Sequence, residues 1–309
     1  MAKPVTFASS DGRQRALASL LMNSLDQPLD SGLVVMDVAA ATHPGKVKNS
    51  NQDHYLVIRF GRTLENLLTN LDKGELDPDH DLTGYVMVVA DGIGGMEAGE
   101  VASQLAVKKL VDLLVETPDW IMSLKREQDL RTVLERMDQR FWKIDEALKE
   151  DARQNTARHG MGTTLTMAGL MGNDLILGHI GDSRAYLLRN EKLNQLTNDH
   201  TLVQALVDAG IVDADDPASQ STDHVLTAAL GSLDDVVRPQ VKLLQLAPDD
   251  QILLCTDGLT QIVDDKTIQA TLYRADSAHQ ACHELVDLAL AGGGTDNITV
   301  VLARIASHE

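Results

Sequence analysis

Five aspartates stand where apolar runs meet turns of small or polar residues. They are Asp53 in Asn51-Gln-Asp53, Asp91 before Gly92, Asp182 between Gly181 and Ser183, Asp257 before Gly258, and Asp296 in Gly294-Thr-Asp-Asn297. A carboxylate at the end of a buried strand, on a turn without side chains to shield it, suits a hard cation such as Mg²⁺ or Mn²⁺. Asp91 is the fullest case. The apolar run 86–90 stops there, glycines follow at 92, 94, 95 and 99, and a helical pattern opens near Glu97. Asp91 and a turn carbonyl could both ligate such an ion; the alternative is an ordinary strand–turn–helix with Asp91 as N-cap. Gly-rich turns also cradle phosphates, but no Lys-Ser/Thr follows, which argues against a P-loop. A single Asp-Gly is a common turn, so the weight lies in five within one chain. If these strand ends converge, the carboxylates repel and raise one another's pKa values, and divalent cations would remove that repulsion. A pair of such ions would also do chemistry, deprotonating a bridging water near neutral pH and clamping a phosphoryl group in line.

The elements that must position these residues are legible as periodicities. Strand-like runs cover 33–42 and 54–60, separated by a turn at Pro44-Gly45. Residues 61–84 read as an insertion with a short helix and an acidic loop; Asp77-Pro-Asp-His-Asp81 lacks the Gly and Glu of a calcium loop. A helix is expected over 97–115. Leu130, Leu134, Met137, Phe141, Ile144 and Leu148 then recur at steps of four and three, one apolar face of a second helix. Residues 163–196 read as an antiparallel meander: 163–171, 174–180, 184–189 and 193–197, joined by short turns. A helix near 201–209, an irregular acidic stretch 211–236, strands 241–246 and 251–256, a helix 278–291 and a closing strand 298–305 complete the chain. No repeat or linker interrupts it, which predicts one α+β domain with helices layered on antiparallel sheet.

Composition narrows the class. Of 309 residues, 43% are hydrophobic but only 3% aromatic, so the core must be aliphatic. A net charge of −19 argues against nucleic acid as partner. Two cysteines, Cys255 and Cys282, are too few for a disulfide scaffold and suit a reducing compartment. No apolar run approaches the length of a membrane span and no signal core opens the chain, so a soluble cytoplasmic protein without membrane contact is expected.

Asp91-Gly-Ile-Gly-Gly, Gly160-Met-Gly-Thr-Thr164, Gly181-Asp-Ser-Arg184, Thr256-Asp-Gly-Leu259 and Gly294-Thr-Asp-Asn297, in this order, resemble the metal-dependent protein phosphatases (type 2C, the PPM family), and among them the bacterial members. The resemblance runs from about residue 33 to 305. It implies a four-layer α-β-β-α sandwich of two antiparallel sheets flanked by helices. The polar residues 1–31 read as a mobile N-terminal extension, and the resemblance makes 32–309 a phosphatase domain, with the 61–84 insertion and a flap-like segment at 211–236. It also implies roles. Asp91 bridges two Mn²⁺ or Mg²⁺ ions, with the Gly92 carbonyl as a further ligand. Asp257 and Asp296 complete the first ion and Asp53 supports the second. Asp182 matches a third, weaker ion site, Asn297 orients the final turn, and Lys48 takes the substrate phosphate. The implied activity is hydrolysis of phosphoserine and phosphothreonine in proteins by a metal-bridging hydroxide, without a phospho-enzyme. The implied partners are phosphoprotein substrates of a Ser/Thr kinase in signalling, met by a monomer.

Departures from the family pattern keep a rival open. Lys48 stands where an Arg fork is usual, Gln52 where Glu is common, Ile93 where animal members carry a His, and Ala228 where Arg is frequent. A phosphatase-like domain that senses or scaffolds with little turnover is the alternative from another class, and a small-molecule phosphatase or other metal hydrolase the enzymatic one. Ser183 nearly fits a nucleophile elbow but has strands on both sides, so it reads as a turn residue. His279, Cys282 and His283 read as a surface helix, His43, His54 and His200 as structural, and Cys255 as a small core residue.

Overall fold

Strand β4 (Leu82–Ala90) shows how the layers arise, because its alternate residues belong to different apolar clusters. Val86, Val88 and Ala90 pack with two long helices, α1 (Glu97–Glu116) and α2 (Glu127–Gln154). Met87 and Val89 turn the other way and pack against the inner face of a second sheet. The computed structural model describes residues 5–6, 36–62, 82–95, 97–117, 127–212, 225–232 and 237–306.

The strands in chain order are β1 (Val5–Thr6), β2 (Met36–His43), β3 (His54–Arg62), β4, β5 (Gly92–Ile93), β6 (Gly162–Thr163), β7 (Leu165–Met171), β8 (Asp174–Ile180), β9 (Arg184–Arg189), β10 (Lys192–Gln195), β11 (Gln240–Gln245), β12 (Gln251–Cys255) and β13 (Ile298–Ile305). The first sheet has the order β1-β11-β8-β7-β4-β3 and the second β10-β9-β12-β13-β2. All pairings are antiparallel, as the short turns at 172–173 and 190–191 require. Strand β12 alternates as β4 does. Ile252 and Leu254 face the first sheet, while Leu253 and Cys255 face α5 (Asp265–Arg274) and α6 (Ala278–Ala291). The layers are therefore helices, sheet, sheet, helices, the four-layer sandwich expected.

The α2 stripe is core: Leu134, Met137, Phe141, Ile144 and Leu148 are all buried, while the side chain of Leu130 lies outside the described set. Helix α3 (Leu202–Asp208) takes Thr201 as its N-cap, the hydroxyl accepting from the Gln204 amide. Several elements were not expected, β1 and a single 3₁₀ turn at Thr156–Arg158 among them. The β5–β6 ladder has two residues a side, too short for a pattern to show. Helix α4 (Asp257–Thr260) is a single turn. Helix α5 buries only Ile268, Thr271 and Leu272, a stripe too thin to show periodicity. Strands β3 and β4 extend into the stretch read as 61–84; the acidic loop 77–81 lies outside the described residues, as does most of 1–31, of which Val5 and Thr6 pair with Leu243 and Lys242. No described helix is long and apolar enough to cross a membrane.

Candidate metal centre

The end of β4, the β8–β9 hairpin, the end of β12 and the turn before β13 reach the same edge of the sandwich. There they surround a cavity of about 440 Å³ lined by Lys48, Asp91, Gly92, Asp182, Asp257 and Asp296. Asp53, at the start of β3, lies beneath it, 6% exposed, and accepts a 2.8 Å hydrogen bond from the Thr256 hydroxyl on Oδ2. Six of the residues expected in the site thus share one cavity, with Asp53 under its floor. Asn297 also reaches beyond its own turn. Its Oδ1 accepts from the Gln52 amide, and its Nδ2 donates to the carbonyls of Pro44 and Ser50. It thereby fastens the 44–52 loop that carries Lys48.

Each carboxylate has a local reason for its place. The Asp91 backbone is clamped by two threonines. Its amide donates to Thr164 Oγ1 (2.9 Å), and its carbonyl accepts from the Thr164 amide (2.9 Å) and the Thr163 hydroxyl (2.7 Å). Gly92 is required by close approach: a Cβ there would stand 2.1 Å from the Gly99 carbonyl oxygen, so only glycine lets α1 begin against the turn. Gly258 answers the same demand, its would-be Cβ lying 2.0 Å from the Asn297 carbonyl oxygen. Asp257 opens α4, where the N-terminal dipole favours an anion, and its Oδ2 accepts from Gln261 Nε2 at 2.5 Å. Asp296 accepts from the Asn297 amide (2.8 Å) and pairs with Lys48 Nζ (2.9 Å). The hairpin carrying Asp182 is braced by Arg184, whose guanidinium forks onto Asp199 at 2.7–3.1 Å, and by Ser183, whose hydroxyl meets that of Thr164.

Crowding these acids has an electrostatic consequence. Burial pushes the Asp53 carboxyl up to about 7, against the opposing hydroxyls of Thr299 and Thr256, with Asp257 and Asp296 adding to the rise. Asp182 is likewise pushed up to about 7, by burial first and then by Asp257 and Asp199. Asp91 is held well above the usual carboxylate range by burial and then by the charges of Asp53, Asp257 and Asp182, and it shares a side-chain hydrogen bond with Asp257. The bond to Asp296 raises Lys48.

Among the described residues no three His, Cys, Asp or Glu side chains stand close enough to hold one ion by themselves. The donors still fit divalent cations. Asp53 Oδ1 is buried and accepts no hydrogen bond, an unmet acceptor at the floor of an acidic cavity. The donor set is all oxygen, which suits Mg²⁺ or Mn²⁺ over softer metals. A larger cavity of about 650 Å³ lies beyond residues 198–201. Of its three acids, Asp138, Asp199 and Asp208, Asp199 is committed to Arg184 and Asp208 to Gln204.

The histidines near the cleft hold structure. His43 Nδ1 accepts from the Gly45 amide, His54 meets Ser103, and His200 Nδ1 accepts from the Gly181 amide. On α6, Cys282 is buried with its Sγ on the Ala39 carbonyl, apart from the exposed rings of His279 and His283. What sequence reasoning missed is the hydroxyl and amide support: Thr163, Thr164, Thr256 and Gln261. Thr163 and Thr164 stand within a family motif, but nothing in it shows that their hydroxyls hold the backbone of Asp91.

The protein phosphatase 2C family pattern matches residues 76–288. The chain belongs to that family. The serine/threonine protein phosphatase PstP of Mycobacterium tuberculosis is 38% identical over 224 residues, 72% of this chain but 41% of PstP, so the chain spans less than half the length of this relative. The protein phosphatase PhpP of Streptococcus pneumoniae is 30% identical over 276 residues, 89% of this chain and 99% of PhpP. Among solved structures, the PstP catalytic domain in complex with two manganese ions superposes with a TM-score of 0.68 at 33% identity, covering 89% of this chain and all of that one. The serine/threonine phosphatase Stp1 of Staphylococcus aureus superposes at 0.71 with 26% identity, covering 91% and 99%. These phosphatase 2C relatives carry the sandwich described above.

Proposed function

We propose that this chain hydrolyses phosphoserine and phosphothreonine in proteins and depends on Mn²⁺ or Mg²⁺. The observation that carries the reading is one cavity lined by four carboxylates and one ammonium, with a fifth carboxylate beneath. Family membership and the relatives named as Ser/Thr phosphatases support it. We assign Asp91 to both of two ions, with the Gly92 carbonyl as a further ligand, Asp257 and Asp296 to the first ion, and Asp53 to the support of the second. Asp182 is assigned to a third, weaker one. Bound there, such cations supply Lewis acidity, charge neutralisation and an activated water.

The chain's own residues do the rest. We assign Lys48, half-exposed at the rim and paired with Asp296, to the phosphate oxygens of a substrate. Asn297 sets its reach by fixing both ends of the 44–52 loop. Thr163 and Thr164 hold the Asp91 backbone so that its carboxylate keeps one position. Ile93 lines the cavity and offers no proton to the leaving oxygen. We assign the phosphatase domain to 32–309, with 1–31 as an extension, and a monomeric protein of the cytoplasm acting on products of a Ser/Thr kinase. The unpaired Cys255 and Cys282 suit that compartment. Phosphate release from a phosphothreonine peptide, with Mn²⁺ and with chelator, tests the reading. Release with metal alone supports it; release in neither condition, or in both, refutes it.

A further inference from the structure

Residues 225–231 form a strap along the rim of the carboxylate cleft. At one end Leu226 bridges Thr201, the Leu202 amide donates to the Val225 carbonyl and the Thr227 amide to the His200 carbonyl. His200 is in turn bonded to Gly181, next to Asp182. At the other end Leu230 exchanges both backbone hydrogen bonds with Thr163 at 2.9 Å, and Thr163 holds the Asp91 carbonyl. Leu226, at the first of these anchors, lines the cleft. The strap thus joins the Asp182 hairpin to the Asp91 turn.

A third anchor comes from outside the cleft. Gly231 adopts φ +86°, and its amide donates to Asp145 Oδ1 on α2 at 2.8 Å. A Cβ at Gly231 would stand 2.8 Å from the Met161 carbonyl oxygen, so the strap enters its anchor against backbone. Asp145 is 2% exposed, and its other oxygen pairs with Lys149 Nζ at 2.9 Å, one helical turn on. A buried carboxylate is expensive unless its oxygens are met, and here one meets the ammonium and the other the strap. The helix stripe beside it, Ile144 and Leu148, is core and cannot move without opening a cavity.

We propose that Asp145 is a positioning residue for the reaction. By holding Gly231 it fixes the strap, and with it the rim against which a phosphopeptide seats. Asp145 touches neither substrate nor ion. The inference rests on the phosphatase reading for its kinetic consequence and on geometry alone for its structural one.

Two double variants separate the strap bond from the ion pair. Asp145→Asn with Lys149→Met removes both charges and keeps an acceptor for Gly231. Asp145→Leu with Lys149→Met removes the charges and the acceptor together. The Leu/Met pair should raise KM for a phosphothreonine peptide by up to about tenfold, the most that one lost hydrogen bond costs, and leave kcat on p-nitrophenyl phosphate within about twofold. The Asn/Met pair should stay near the parent on both substrates. Amide exchange at Leu230 and Gly231, followed without substrate, should quicken in the Leu/Met pair only. Equal behaviour of the two pairs, or equal losses on both substrates, overturns the proposal. If the parent releases no phosphate, the phosphatase reading falls, while the exchange comparison still supports or overturns the anchor. If the Leu/Met pair does not fold, exchange in the parent decides: protection of the Gly231 amide supports the anchor, and exchange as fast as at the open Gly172 turn overturns it.

Discussion

Replacing Lys48 with alanine should lower kcat/KM on a phosphopeptide about ten- to thirtyfold, and the size follows from where the ammonium sits. A hydrogen bond to a charged group contributes about 1.5–3 kcal/mol. Lys48 is 46% exposed in its side chain and pairs with Asp296, itself 31% exposed, so water and a competing partner weaken what it offers a phosphate. The lower part of that range, about 1.5–2 kcal/mol, is therefore expected. Lys48→Arg should match or exceed the parent, because a fork can hold two phosphate oxygens. The assay is initial-rate hydrolysis at saturating Mn²⁺, paired with calorimetry of Mn²⁺ binding. If the reasoning holds, KM rises in the alanine variant while Mn²⁺ affinity is kept or strengthened, since Asp296 loses its competing cation. Unchanged kcat/KM with weakened Mn²⁺ binding would refute it and make Lys48 a support for Asp296 alone.

Other substitutions probe other parts of the account. Asp91→Asn should lower Mn²⁺ affinity and turnover together, measured at limiting metal. Asp182→Ala should keep tight Mn²⁺ binding and slow phosphoserine peptides more than aryl phosphates, whose leaving group needs little protonation; calorimetry and paired kinetics check both. Gly258→Ala should destabilise the fold by about 1–3 kcal/mol in urea unfolding, because its Cβ would meet the Asn297 carbonyl. His179 is fully buried, its Nδ1 meeting the Thr166 hydroxyl and its Nε2 the Asn198 carbonyl, and burial holds its pKa well below 6.5. Such a group stabilises the fold above the unfolded pKa of about 6.5 and loses that contribution as pH falls, at up to about 1.4 kcal/mol per unit. The parent should therefore lose more stability than His179→Gln between pH 6.5 and 5, and parallel urea midpoints would contradict this.

The layers were legible because burial writes itself into apolar runs and periods. Val86 to Ala90 and Ile252 to Cys255 are apolar at every position, as strands covered on both faces must be, and the α2 stripe has one face only. The aspartates were legible because each stands where such a run meets a turn. What supports them was not. Thr164 meets Asp91 across 73 positions and Thr256 meets Asp53 across 203, and no local pattern encodes a contact at that range. Helix α5 was missed because its buried stripe is three residues. Asn297 stood in a motif, but its grip on Pro44 and Ser50 depends on how the closing strand pairs with β2.

The central claim is that the carboxylate cleft works by gathering divalent cations for phosphoryl hydrolysis. The most direct measurement titrates Mn²⁺ into metal-stripped protein while counting bound ions and following phosphate release from a phosphothreonine peptide in the same samples. The account predicts two tightly bound ions per chain, with release rising as they bind and failing in chelator. Full release from the metal-stripped protein, or tight binding of two ions with no release at any Mn²⁺ concentration, would contradict it.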